Sequence, residues 1–232
     1  LRYAIYFTPS EDHPLTCAAA EWLGRDAFSG EALPQTLASG FERPQLAELT
    51  ADPRRYGFHA TLKAPFHLKD EMEEADLLDA LRSFCTARQA FDIPGVMISR
   101  IGPFFAIVPA ETHGPLQDFA ASVVEAFEPF RAPLSADDMA RRKPERLTGS
   151  QRQHLTTWGY PYVFDDFRFH MTLSGPVPDD RAPVMAEALE THFSAFTNRA
   201  LRIDGLALFV EPERGAPFQV HSWQALAAPT NG

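Results

Sequence analysis

Two segments decide how this chain is read: "RRYGFHATLKAPF", from Arg54 to Phe66, and "FRFHMTLSGPV", from Phe167 to Val177. Each places a histidine, one intervening residue, a threonine and a leucine behind a phenylalanine, and the two histidines, His59 and His170, are 111 positions apart. In an extended strand residues i and i+2 face the same side. His59 and Thr61 therefore share a face, joined by Lys63 if the strand runs on, while Phe58, Ala60 and Leu62 point into a core. In the second segment Arg168, His170 and Thr172 share one face, and Phe169, Met171 and Leu173 the other. Each motif is an apolar anchor with a polar edge of one imidazole, one hydroxyl and one cation.

Around these motifs the chain repeats in outline. "RYAIYF" reads as a first strand, and "HPLTCAAAEWLG" as a helix with Leu15, Ala18, Ala19, Trp22 and Leu23 at helical spacing and Gly24 as its stop. Residues 25 to 53 are punctuated by Pro and Gly and read mostly as loop. "YGFHATLKA" reads as a strand and "EEADLLDALRSFCTARQ" as a helix. "FDIPGVMISRIGPFFAIVPA" gives one or two strands, with a turn at Gly102-Pro103. A helix over "GPLQDFAASVVEAFEPFR" follows, then the strand of the second motif, a helix over "DRAPVMAEALETHFSAFT", and two strands in "ALRIDGLALFVEP" and "FQVHSWQALA" joined through "ERGAP". Motif strand, helix and strands thus occur twice, an internal duplication of architecture. One stretch, residues 135 to 162, has no counterpart. It carries two short helix patterns, with Ser135 and Thr148 as N-caps and an end at Gly159.

Length and composition bound the rest. A chain of 232 residues with 45% hydrophobic content and 19 phenylalanines can bury a substantial core. Cys17 and Cys85 form no C-x-x-C pair, which points to two buried thiols in a reducing compartment. "LRYAIYFTP" is too short for a signal sequence, and no run approaches the roughly 18 apolar residues of a membrane span, so the expectation is a cytoplasmic protein without membrane contact. A net charge of −10 argues against extended nucleic acid, whose binders show a basic face, and favours a small phosphorylated ligand.

Two such polar edges brought together make a reaction centre. One neutral imidazole can remove a proton from water and the other, protonated, can protonate a leaving oxygen, because an imidazole titrates near ~6.5. Two threonine hydroxyls, with Lys63 and Arg168, can stabilise a phosphate between them. No metal or other cofactor is needed. His154-Leu155-Thr156 also fits H-x-T, but it lies in a helical pattern, where i and i+2 diverge. H-E-x-x-H and H-x-H are absent, as are G-x-S-x-G, the Walker loop and dinucleotide glycine patterns. Weaker candidates surround the motifs. Arg55 has the parity of His59, and Tyr56 stands beside it. Arg141 belongs to the densest basic run, Arg141-Arg142-Lys143. Trp158, Tyr160 and Tyr162 are aromatics that can cap a cleft but more often fill a core.

The motif pair resembles the 2H phosphoesterase superfamily, named for two H-x-T/S motifs. Within it, "YGFHATLKAPF" with "RRKPERLT" and "WGYPYVFDDFRFHMTLSGPV" is similar to an uncharacterised family associated with phosphonate-utilisation operons. The resemblance runs from "RYAIYF" to the last hairpin. It implies an α+β fold in which residues 1–232 make one bilobal domain, two antiparallel sheets facing each other, with outer helices and a central cleft. One lobe, about residues 10–100, would carry His59. The other, about residues 101–232 together with strand 1–8, would carry His170. It implies metal-independent phosphoesterase or cyclic phosphodiesterase chemistry, with His59 and His170 catalytic and Thr61 and Thr172 on the phosphate. The substrate expected is a small metabolite such as a ribose cyclic phosphate. The competing expectations are an RNA-end enzyme acting on 2′,3′-cyclic or 2′-5′ linkages, and a nucleotide- or phosphonate-binding module without catalysis.

Overall fold

The computed structural model describes residues 1–228 and is α+β. In chain order the elements are β1 (Arg2–Phe7), α1 (Pro14–Leu23), α2 (Arg43–Leu49), α3 (Ala51–Tyr56), β2 (Ala60–Phe66), α4 (Glu74–Thr86), β3 (Phe91–Ile101), β4 (Phe104–Pro109), α5 (Gly114–Phe127), α6 (Ala136–Arg141), α7 (Gly149–Trp158), β5 (Met171–Thr172), α8 (Ala182–His192), β6 (Arg199–Ile203), β7 (Gly205–Glu211) and β8 (Gln219–Ala225). The strands run in the order β6-β3-β4-β5-β2-β1-β7-β8, with every neighbouring pair antiparallel. They form two four-stranded halves, continuous with each other only where β5 meets β2, at the single pair Ala60↔Met171.

This order corrects the expected lobes. β1 pairs with β2 and β7, and β7 with β8, so the His59 half is built from both ends of the chain. β3 to β6 form the His170 half. The division expected near residue 100, with the first strand beside His170, followed chain order, whereas strand pairing is set by partners as distant as Arg2 and Glu211.

Apolar spacing sets the layers. α4 buries Leu77, Leu81, Phe84 and Cys85 along one stripe, and α5 buries Leu116, Phe119, Ala120, Val123, Val124 and Phe127. These helices pack on β2, β7 and β8, and α8 packs on β3. β1 alternates weakly in sequence because both its faces are covered. Tyr3, Ile5 and Phe7 enter the main core under the helices, while Ala4 and Tyr6 join Ala207, Phe209 and Phe218 in a second cluster on the opposite face. That second face forms part of the cleft. Trp22 of α1 donates its indole N–H to the Leu173 carbonyl at 2.9 Å, tying the first helix to the second motif.

Several local expectations need adjusting. The stretch 25–53 holds α2 and the start of α3: Pro44 sits in the first turn of α2, and the Gln45 amide oxygen accepts from the Glu42 N–H at 3.1 Å. The motif strands are shorter than read, beginning at Ala60 and Met171, so each histidine precedes its strand by one residue. Cys85 is buried, but Cys17 lies on the exposed side of α1. The caps at Ser135 and Thr148 form, each side chain accepting from the backbone N–H three residues on, and Gly24 and Gly159 close their helices in the left-handed region. No described helix is long and apolar enough to cross a membrane.

Candidate active site

The seam between the two halves brings the motifs together. Ala60 and Met171, the middle residues of the two H-x-T triplets, face each other in an antiparallel pair. Extending that register by one residue in each direction sets His59 across from Thr172 and Thr61 across from His170. Residues flanking a paired position lie on the face opposite its side chain. Ala60 and Met171 are buried, so the two histidines and two threonines together line the cleft on the other side.

Each imidazole is held the same way. His59 Nδ1 lies 2.9 Å from the Gly57 carbonyl, and His170 Nδ1 lies 2.7 Å from the Arg168 carbonyl, both two residues back. A carbonyl oxygen only accepts, so Nδ1 carries the proton in both rings and the Nε2 lone pair is left for chemistry. At His59 the Thr61 hydroxyl donates to that lone pair at 3.2 Å. The carbonyl of Gly57 is presented by a left-handed glycine with φ 78°, where a Cβ would come within 2.5 Å of Ala27 Cβ. A side chain there would be blocked both by conformation and by space.

The two histidines differ in surroundings. The His59 ring stacks on Tyr6, with centroids 3.9 Å apart and planes at 21°, and Tyr6 is itself enclosed by Phe209 and Phe218. Burial pushes the His59 imidazolium down to a pKa of about 4. The Gly57 hydrogen bond opposes the shift, and the nearby charge of His170 adds to it. His59 is therefore neutral at pH 7 and suited to accept a proton. Both histidines are partly exposed, and His170 has Phe104 as its aromatic neighbour, at 5.9 Å.

The cleft has a volume of about 690 Å³. Part of its lining is cationic and organised by two carboxylates. Glu211, fully buried, binds Arg2 at 2.5 Å and Arg55 at 3.2 Å and accepts from the Gly215 N–H at 2.9 Å. The Arg55 guanidinium lies 4.1 Å from the Tyr56 ring centroid. Asp138 pairs with Arg214, lies 3.9 Å from Arg141 and accepts from the Ser135 hydroxyl. The Arg142 guanidinium lies over Tyr160, 5.0 Å from its centroid. Among the described residues no group of three or more His, Cys, Asp or Glu is placed to hold a metal ion.

Of the residues singled out in the sequence, His59, His170, Thr61, Thr172, Arg55, Tyr56, Arg141 and Tyr160 line this cleft. Lys63 does not. Between the pairs Tyr6↔Thr61 and Ile5↔Lys63 the register slips by one residue, and such a bulge reverses the side on which the following residues fall. Lys63 is turned into the interior, 3% exposed, where it pairs with Glu128 and donates to the Val124 carbonyl at 3.2 Å. The Arg168 side chain is exposed outside the cleft and only its carbonyl serves the site, because the backbone has not yet entered the strand there. Trp158 packs edge-on against Phe164, centroids 5.0 Å apart, away from the cleft. Tyr6, Arg2, Glu211 and Arg214 are cleft residues that the sequence reading passed over. A signal existed for one pair: Arg2 and Glu211 are charged ends of apolar strands that turn out to be ladder partners.

The model of a family described as "Protein of unknown function (DUF1045)" matches residues 61–219, a range that begins two residues after His59 and contains His170 and Thr172. The ribose 1,5-bisphosphate phosphokinase PhnN of Janthinobacterium sp. (strain Marseille) is 40% identical over 232 residues, covering 97% of this chain and 50% of that protein. The ribose 1,5-bisphosphate phosphokinase PhnN of Laribacter hongkongensis (strain HLHK9) is 31% identical over 235 residues, covering 100% of this chain and 54% of that protein. The chain thus spans about half the length of these curated relatives. Among solved structures, TT0787 of Thermus thermophilus is similar with a TM-score of 0.46 and 14% identity, over 97% of this chain and 98% of that one.

Proposed function

We propose that this chain, which belongs to the DUF1045 family, is a phosphoesterase that opens a cyclic phosphodiester on a small metabolite, with two histidines as general base and general acid and no metal. The observation that carries this reading is the antiparallel pair Ala60↔Met171, which puts two imidazoles and two hydroxyls on one face about a local two-fold. The substrate phosphorus sits over that face. Neutral His59 takes a proton from a water through Nε2 as the water oxygen bonds to phosphorus. The bond from phosphorus to the ring oxygen breaks, and protonated His170 gives its Nε2 proton to that oxygen. The product is a phosphomonoester, and the two rings return to their starting states by exchanging the proton through solvent. As substrate binds, Thr61 turns its hydroxyl from His59 Nε2 to one non-bridging oxygen and Thr172 donates to the other, where charge grows in the transition state.

Neutral at pH 7 and with Nδ1 turned to the Gly57 carbonyl, His59 presents an Nε2 lone pair to the cleft, which supports its role as the base. A pair of proton-transfer groups is more than binding alone requires, which favours an enzyme over a binding module. The curated relatives are named for a phosphorylated ribose, in keeping with a ribose cyclic phosphate as substrate, for example one arising in phosphonate breakdown. Their kinase name belongs to chains about twice this length, and the segment described here contains no G-x-x-x-x-G-K-[ST] loop to hold a nucleotide triphosphate. The experiment is hydrolysis of ribose cyclic phosphates by the purified protein, followed by phosphorus NMR with and without EDTA. Each of His59→Ala and His170→Ala is expected to lower turnover by about 10²–10⁴. Near-normal turnover in either variant, abolition by EDTA, or hydrolysis of no cyclic phosphate would overturn the proposal.

A further inference from the structure

Five arginines but only three carboxylates line the cleft, in a chain whose net charge is −10. Four of the arginines are already engaged: Glu211 holds Arg2 and Arg55, and Asp138 holds Arg214 and faces Arg141. Arg142 is different. It is partly buried at the end of α6, it lines the cleft, and among the described residues it pairs with no carboxylate. Its contact is with the Tyr160 ring. An aromatic face can position a guanidinium without satisfying its five donors. Removing such a group partly from water is unfavourable unless an anion arrives.

The position of Arg142 also matters. Tyr160 lines the cleft together with Tyr6 and Tyr56, and Tyr6 is the ring stacked on His59. Arg142 therefore lines the same cleft as the histidine face, held against a ring that the two motifs do not supply. A phosphate held by the two motifs alone would leave it unpaired. The charges agree with a longer ligand. A cyclic phosphodiester carries one negative charge, and a phosphomonoester nearly two at neutral pH. Together they suit a lining that has two more arginines than carboxylates better than the single charge of a cyclic diester does.

We infer that Arg142 holds a second phosphate, so that the substrate is a cyclic phosphodiester bearing a separate phosphomonoester. The inference rests on the phosphoesterase reading for the ester at the histidines, but the subsite can be measured apart from it. Two probes are compared: a ribose cyclic phosphate, and the same compound with a phosphomonoester on its primary hydroxyl. Wild-type protein should favour the second by about 10-fold or more in kcat/KM, chiefly through KM. In Arg142→Met that preference should collapse toward one, and Arg142→Lys should retain part of it. The range follows from a charge-assisted hydrogen-bond pair worth about 10- to 100-fold. Equal loss on both probes in Arg142→Met, or no preference in the wild type, would overturn the inference. If neither probe is hydrolysed, calorimetric binding of both to His59→Ala and to the double variant decides. A preference for the doubly charged probe that disappears with Arg142 upholds the subsite while the reaction fails. No such preference, or no binding of either probe, removes the subsite as well.

Discussion

The sharpest consequence of the site concerns the proton on His59. An imidazole in an unfolded chain titrates near ~6.5, whereas the folded environment lowers His59 to about 4. The interval is about two and a half pH units, so protonating His59 in the fold costs about 3 kcal/mol more than in the unfolded chain. Between those values the unfolded chain binds a proton that the native state refuses. The contribution is therefore fully present above pH 6.5 and is lost as pH falls toward 4. Ring-nitrogen and carbon-proton NMR titration of the free protein reads this directly. His59 should remain neutral down to about pH 4, in the tautomer with the proton on Nδ1 dictated by the Gly57 carbonyl. In His170→Ala the midpoint should rise, since a like charge is removed, yet stay below 6.5 because burial is the larger cause. The fall of the urea midpoint between pH 6.5 and 4 should flatten in His59→Gln. A His59 midpoint at or above 6.5, or a proton on Nε2 in the neutral ring, would refute the assignment of His59 as a buried base.

Four further substitutions separate chemistry from support. Thr61→Val and Thr172→Val should each lower kcat/KM on a cyclic phosphate by about 10-fold, the scale of one hydrogen bond to a charged group, and steady-state kinetics on both variants checks it. Lys63→Met should cost about 2 kcal/mol in urea unfolding and leave KM unchanged: Lys63 faces Glu128 in the interior, and Glu128 keeps Arg131 at 2.6 Å. Glu211→Gln should cost about 3 kcal/mol or more, since a fully buried carboxylate holds two arginines there. It should also raise KM as Arg55 loses its anchor, measured by thermal unfolding alongside kinetics.

The alternation of His59 with Thr61 and of His170 with Thr172 was legible because it spans only two residues, too short for a bulge to intervene. Lys63 shows where that reasoning stops, for the bulge lies one step beyond Thr61 and arises from pairing with β1, which the local spelling does not encode. Helix caps at Ser135 and Thr148 and the left-handed Gly24 and Gly159 were legible for the same local reason. The short helices of residues 43–56 were missed because proline there begins a helix instead of breaking one. The membership of the halves was hidden most deeply. Arg2 and Glu211 are neighbours in the sheet but 209 residues apart, and only the assembled ladder reveals their shared task in holding the cleft wall.

That ladder carries a consequence for how the protein is made. The His170 half is a contiguous run, residues 91 to 203, set inside a half whose strands come from residues 2–66 and 205–225. During synthesis the inner sheet has all its strands once residue 203 has emerged, while β1 and β2 wait with an unpaired edge until β7 is made. An open edge is where chains associate wrongly. A ribosome stalled once residue 203 has emerged should therefore hold a nascent chain with a protected inner sheet and protease-sensitive strands over residues 2–66. The complete cleft should form only after β7 and β8, because Phe209, Glu211 and Phe218, which enclose Tyr6 and anchor Arg55, are translated after the inner sheet.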